Sequence, residues 1–388
     1  MCITLQIQAE QFFYKHTTGD KYRILSTVHE DVYINRRLSH RSEILNRIAV
    51  EVENVLNEKA KHKAMFQTAE RAIGVQNTHA FQWAREYESE FIRDRQGYLT
   101  IDNKYFMPVV RNVPVFPERE LKVGDTWSSE GHEMHDFRAS FGIAEPYRIP
   151  FTAHYTFLGE KEWRGEKYSA FSVSYRIFEE PPVVSGSLYP VRITGASDQI
   201  VYWNSALGHA TAYEEHFRMI FTLSNGATIE YRGTASAEII ESEIMDKNKI
   251  ADDIKEDIAR LGIENISVRE TEEGIVLSIE NIQFQADSAV LLPQEKEKLD
   301  KIAEILRKYS QRDISVSGHT ALAGTPEGRM RLSQERASSV ADYFIEKNVR
   351  TPERIIIRGY GAERPIADNR TEAGRSRNRR VEITILEN

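Results

Sequence analysis

The densest run of acid–base and metal-binding side chains is His132-Glu133-Met134-His135-Asp136. A zinc-protease helix sets two histidines four residues apart on one face, with a glutamate between them as the base. Here the second histidine falls one residue early. A strand would send His132 and His135 to opposite faces, so the run is expected in a solvated loop or at a strand rim. Gly359-Tyr360-Gly361 lacks the third glycine and the following helix of a dinucleotide fingerprint. No nucleophile elbow and no phosphate loop occurs. Cys2 is the single cysteine, which excludes an intrachain disulfide and a cysteine-rich zinc site. The residues therefore point to a protein that is not an enzyme, without metal or cofactor.

Charge is the second source of chemistry. Nine arginines lie between Arg350 and Arg380. Such a cluster can attract anionic glycan, lipid headgroups or nucleic acid. The chain as a whole carries −8, however, which argues against a nucleic-acid partner. The arginines are expected to serve structure and a solvated face. No run of 18 apolar residues provides a transmembrane segment. Residues 1–9 read as a signal-peptide remnant, and Cys2 as either a frayed free thiol or a lipid-attachment site.

The elements that hold these residues divide into two regions. From 10 to 245, alternation of period two dominates. Tyr22, Ile24, Ser26 and Val28 share a face, as do Phe151, Ala153, Tyr155 and Phe157, and Phe217, Met219, Phe221 and Leu223. Asn225-Gly226 between alternating runs predicts a tight hairpin. Sequential hairpins imply an antiparallel all-β region, either a rolled sheet or half-barrel, or two sheets, with a possible split at 114–124. Its concave face offers room for an apolar ligand, an analogy from architecture alone.

Composition shifts near Met245. Residues 246–262 predict an amphipathic helix ended by Gly262. A strand pair follows, then a helix from Pro293, a strand at Asp313–Gly318, a long helix from Pro326 and two last strands. Strands alternating with helices predict an α/β sandwich.

Residues 249–388 resemble the OmpA-like carboxy-terminal domain. The resemblance rests on Ile282-Gln283-Phe284 with Asp287-Ser288-Ala289, Gly318-His319-Thr320, Leu332-Ser333 with Arg336-Ala337, Gly359-Tyr360-Gly361, Pro365 to Asn369, and Gly374 to Ile383, all in order. It implies a periplasmic domain that holds the diaminopimelate of a peptidoglycan stem peptide. In that family an Asp directly after Gly-His-Thr meets the ligand's ammonium, and an arginine fifteen residues on grips its carboxylate. In that family an Asn three residues before the Leu of the Leu-Ser-x-x-Arg-Ala stretch supports the ligand.

The resemblance therefore assigns the pocket to Thr320, Ala321, Arg329, Leu332, Ser333 and Arg336, with support from Ser288, Asn378 and Arg379. Two positions depart from it: Ala321 replaces the Asp and Arg329 the Asn, whereas Arg336 is kept. An unpaired desolvated charge costs roughly 2–5 kcal/mol, which is roughly 30-fold to more than 1,000-fold in affinity. Binding of the stem peptide is expected to be weak or lost unless Glu327 replaces the carboxylate. The expectation is a non-enzymatic cell-envelope protein, periplasmic and associated with the outer membrane, whose partners are peptidoglycan or envelope proteins. The alternatives are a working wall anchor and a carrier of an apolar ligand.

Overall fold

The computed structural model describes residues 9–73, 80–182, 188–241, 245–280, 282–285 and 288–387. Cys2 and Asp287 lie outside them. The chain forms two compact units, Met1–Thr68 with Arg85–Glu241, and Ala69–Ala84 with Ser242–Asn388. Residues 69–84, expected within the β-rich region, thus group with the carboxy-terminal one. The described structure is mostly β-strand with a few helices.

The first region contains β1 (Lys21–Ile34), β2 (Arg37–Leu56), β3 (Lys59–Ile73), β4 (Phe81–Asp94), β5 (Leu99–Ile101), β6 (Val110–Arg111) and β7 (Thr126–His135). After a short α1 (Arg138–Phe141) come β8 (Tyr147–Trp163), β9 (Glu166–Glu179), β10 (Pro190–Asn204), β11 (His209–Leu223) and β12 (Thr228–Glu241). Antiparallel pairing runs β2-β1-β12-β11-β10-β9-β8-β7-β6. Turns explain the hairpins. Asn35-Arg36 and Asn57-Glu58 hold positive φ at both central positions, which matches the twist of the flanking strands. At Asn225-Gly226 only Gly226 has positive φ, 81°. The Asn225 side chain instead accepts from Ala227 N at 3.0 Å. The expected hairpin forms there, with a longer loop over 224–227.

Alternation buries one face. Ile149, Phe151, Ala153 and Tyr155 of β8 pack with Val173, Tyr175 and Ile177 of β9 in one core cluster. Phe12, Phe116, Phe171 and Trp203 form another, with edge-on ring contacts of 4.6–5.1 Å. The 114–124 stretch is irregular chain between β6 and β7, anchored where Phe116 and Leu121 are buried.

The second unit contains α2 (Lys247–Leu261), β13 (Ile266–Glu270), β14 (Gly274–Glu280), α3 (Pro293–Lys308), β15 (Ile314–Gly318), α4 (Pro326–Glu346), β16 (Ile355–Gly359), α5 (Glu372–Asn378) and β17 (Arg380–Leu386). Asp246 caps α2 by accepting from Lys249 N, and Gly262 ends it at φ 60°. Pro293 and Pro326 stand in the first turns of α3 and α4, where the missing N–H costs little. β17 lies between β14 and β15, antiparallel to both, and β15 pairs parallel with β16. Phe81 and Gln82 add a short parallel pairing to β16. Leu299, Ile302, Ile305 and Leu306 of α3 and Ala337, Val340 and Phe344 of α4 cover this sheet in one core with Ile314, Val316, Ile357 and Ile383.

The arginines are sorted by this fold. Arg350, 5% exposed, donates to the carbonyls of Leu306, Tyr309, Arg312 and Val349. Arg358 stacks on Trp83 at 3.4 Å and reaches Glu273 at 3.2 Å. Arg375 and Arg379 share Glu372, and Arg377 pairs with Glu280.

Candidate functional site

Gly318 lets the candidate pocket form. A Cβ there would lie 1.9 Å from the Ser333 carbonyl, so only glycine lets α4 approach the end of β15 this closely. The chain then runs through His319, which is 2% exposed and stacked on Tyr360 at 5.2 Å. Burial, the largest influence, pushes the His319 pKa down. Its Nε2 stands 3.6 Å from Glu382 Oε2. Glu382 takes Arg380 Nε and Arg269 Nη2 at 2.8 Å each. Burial opposes ionisation of Glu382, but His319 and Arg380 outweigh it and hold the carboxyl well below the usual range.

Thr320, Arg329 and Ser333 converge on Gly361. Thr320 N donates to the Gly361 carbonyl at 2.8 Å, and Gly361 N donates to Ser333 Oγ at 2.9 Å. A Cβ at Gly361 would lie 3.3–3.5 Å from Met330 N and Arg329 in the early part of α4. Ser333 is fully buried and also donates to the Met330 carbonyl at 2.7 Å. Thr320 Oγ1 is buried and has no hydrogen-bond partner among the described residues. Ala321 follows it, 6% exposed. A methyl group therefore stands at the position where the resemblance calls for a carboxylate.

The remaining candidates have other duties. Arg329 Nη1 donates to the Gly324 carbonyl at 2.5 Å, bracing the loop that follows Ala321. Leu332 is half-buried. Arg336 stacks its guanidinium 4.8 Å from the Phe284 ring centre. Glu327 is exposed in the first turn of α4. Ser288 accepts from Val290 N at 2.8 Å within its own turn. Asn378 is fully buried, and its amide accepts from Ile366 N and Ala367 N and donates to the Ala367 carbonyl and Asn369 Oδ1, all at 2.8–3.0 Å. Arg379 pairs with Glu372 at 2.8 Å. Sequence reasoning missed Asn369. Its Oδ1 takes Leu322 N at 3.1 Å as well as Asn378 Nδ2, so one amide fixes the Ala321 loop to the 366–369 loop. The Asp368-Asn369 pair beyond Pro365 is a loop signal that identifies no contact.

The His132–Asp136 run is not in a solvated rim. His132–His135 form the end of β7 and Asp136 follows it, with Glu133 6% exposed. Pairing with β8 turns Glu133 and His135 to one face and Met134 to the other. Glu133 accepts from Tyr175 OH at 2.8 Å and lies 2.7 Å from His135 Nε2. These residues border a cavity of about 610 Å³ within the first unit, lined also by β10, β11 and β12. Among the described residues no group of three or more metal-type side chains is assembled, and no helix is long and apolar enough to cross a membrane.

The OmpA family matches residues 283–379. The chain is 39% identical to the probable lipoprotein YiaD of Escherichia coli over 31% of this chain and 55% of that protein. It is 37% identical to the outer-membrane lipoprotein YfiB of Pseudomonas aeruginosa over 32% of this chain and 78% of that one. It is 36% identical to the peptidoglycan-binding protein ArfA of Mycobacterium tuberculosis over 27% of this chain and 32% of that one. The chain thus spans about half, or less, of several curated relatives that it matches, and every one of these likenesses falls on roughly a third of the chain or less.

Proposed function

Because the chain belongs to the OmpA family through residues 283–379, we propose that it is a non-catalytic protein of the bacterial cell envelope, periplasmic and associated with the outer membrane. Its second unit keeps the scaffold of a peptidoglycan-binding domain, an α/β sandwich, around a disarmed pocket. One observation carries this reading. The hydrogen bonds through Gly361 hold Thr320, Ser333 and the start of α4 together, yet Ala321 supplies no carboxylate to a ligand ammonium. The orphaned Thr320 hydroxyl fits a pocket that lost its polar partner. Relatives named as a peptidoglycan-binding protein and as outer-membrane lipoproteins support the setting.

The test is sedimentation of the full chain with purified peptidoglycan, beside the double variant Ala321→Asp, Arg329→Asn. The natural chain is expected to stay in solution and the double variant to pellet. Pelleting of the natural chain that Arg336→Ala abolishes would refute the disarmed pocket and leave a working wall anchor. A second reading rests on the cavity of the first unit, whose lining comes from β1 and from β7, far apart in the strand order. We read the sheet as rolled around it, as a holder for an apolar ligand.

A further inference from the structure

Beyond the wall-binding reading, and resting on the apolar-ligand reading of the first unit, we infer that the rolled sheet binds one molecule with an apolar body and a single amine. The ammonium sits against Glu215. The cavity's volume of about 610 Å³ falls in the range of roughly 300–1,000 Å³ usual for small-molecule sites. Val110, Phe137, Ile177, Met219, Phe221 and Tyr231 supply apolar wall from β6, β9, β11, β12 and the residue preceding α1. Leu188, a cavity-lining residue 44% exposed, marks where it opens.

Polar groups converge at one place in this lining. Glu133 has both oxygens engaged, one by Tyr175 and one by His135. Asp136 is engaged by Arg138, Arg85 and Tyr87. Glu215 differs. Ser197 Oγ at 2.6 Å and Gln199 Nε2 at 3.3 Å both donate to its Oε1. Among the described residues no lysine or arginine forms an ion pair with Glu215. The neighbouring Arg218 lines the cavity but bonds Glu230 at 2.9 Å and is 57% exposed. Burial, the largest influence, raises the Glu215 pKa and the Glu133 charge adds to it, while the hydrogen bonds from Ser197 and Gln199 act against them.

An ammonium is the group that relieves this arrangement. It donates to Oε2 and neutralises a charge that the wall leaves uncompensated. A ligand carboxylate would add a third negative charge beside Glu133 and Glu215. A ligand hydroxyl would bond without cancelling charge. The sequence carries a trace of the site. Glu215 shares a strand face with Tyr213, Phe217, Met219 and Phe221, and a charged residue inside an aromatic stripe needs a reason.

The test titrates the full chain by calorimetry with dodecylamine, 1-dodecanol and dodecanoate, each below its micelle concentration. One dodecylamine per chain is expected, bound about tenfold or more tightly than either other probe. Glu215→Gln is expected to bring dodecylamine down to the dodecanol level without changing dodecanol. Ile177→Trp, which adds bulk to the cavity wall, is expected to weaken binding of both. Equal or tighter binding of dodecanol or dodecanoate by the natural chain overturns the amine assignment and leaves the apolar-ligand reading standing. That ranking needs no variant, so a misfolded one cannot obscure it. Failure of all three probes to bind overturns both readings.

Discussion

Acidification should loosen the first unit through His62. This imidazole is fully buried, edge-on to His16 at 4.7 Å and stacked on Phe91 at 4.9 Å. Burial first, then the Arg93 charge, then His16, lower its pKa from 6.5 to about 3. A lowered histidine pKa means that the unfolded chain binds the proton more readily. The stability it contributes is complete above pH 6.5 and drains as pH falls toward 3. At pH 5 the unfolded imidazole is protonated and the buried one is not. The loss is then about 1.5 pH units at ~1.4 kcal/mol each, or about 2 kcal/mol relative to pH 7.5. His16 and His132, lowered to about 4 mainly by burial, act in the same direction but are half-buried, so solvent screens them more. Glu215, pushed up by burial, acts oppositely. The difference between the natural chain and His62→Phe isolates one residue. Urea unfolding followed by tryptophan fluorescence reads it, because Trp127, Trp163 and Trp203 lie in the first unit. The variant should lose about 2 kcal/mol less than the natural chain between pH 7.5 and 5. An unchanged pH dependence, within about 0.5 kcal/mol, would refute the argument.

Three further outcomes are expected. Gly318→Ala forces a Cβ into the Ser333 carbonyl and should destabilise the second unit by about 3 kcal/mol or more, read as a fall in the urea midpoint of its transition. Asn378→Ala removes four hydrogen bonds and should cost about 2–4 kcal/mol, with faster proteolytic cleavage at 366–369; unchanged cleavage would show that Asn369 holds the loop unaided. Glu382→Gln strands the nearly buried Arg380 and should cost about 3–5 kcal/mol at pH 7. Because the folded carboxyl titrates well below its ordinary value, its contribution is complete above about pH 4.5 and lost as pH falls below that. The variant should therefore lack this part of the acid-unfolding slope in hydrogen exchange of β17.

Local signals were legible without a structure. Asp246 and Gly262 bound α2, Pro293 and Pro326 start α3 and α4, and the alternating aromatics of β8, β9 and β11 announce strands with one buried face. These depend on residues within a turn or two of one another, whose backbone preferences act wherever the chain goes. The spacing of Gly318, Ser333, Gly359 and Gly361 carried the family resemblance for the same reason: each close approach tolerates few residue types. Only tertiary structure decided the rest. The Phe81-Gln82 pairing with β16 joins distant parts of the chain, and nothing local to either segment encodes its partner. Asn369 reads as a loop residue until its amide is seen to meet that of Asn378. The arginine run reads as structural side chains and a solvated face, and only the fold shows which groups they meet: carbonyls for Arg350, the Trp83 ring and Glu273 for Arg358, a shared Glu372 for Arg375 and Arg379. Glu133 and Glu215 lie on different strands, and their charges come to share one cavity because pairing and curvature of the sheet, which no local preference specifies, set which faces turn inward.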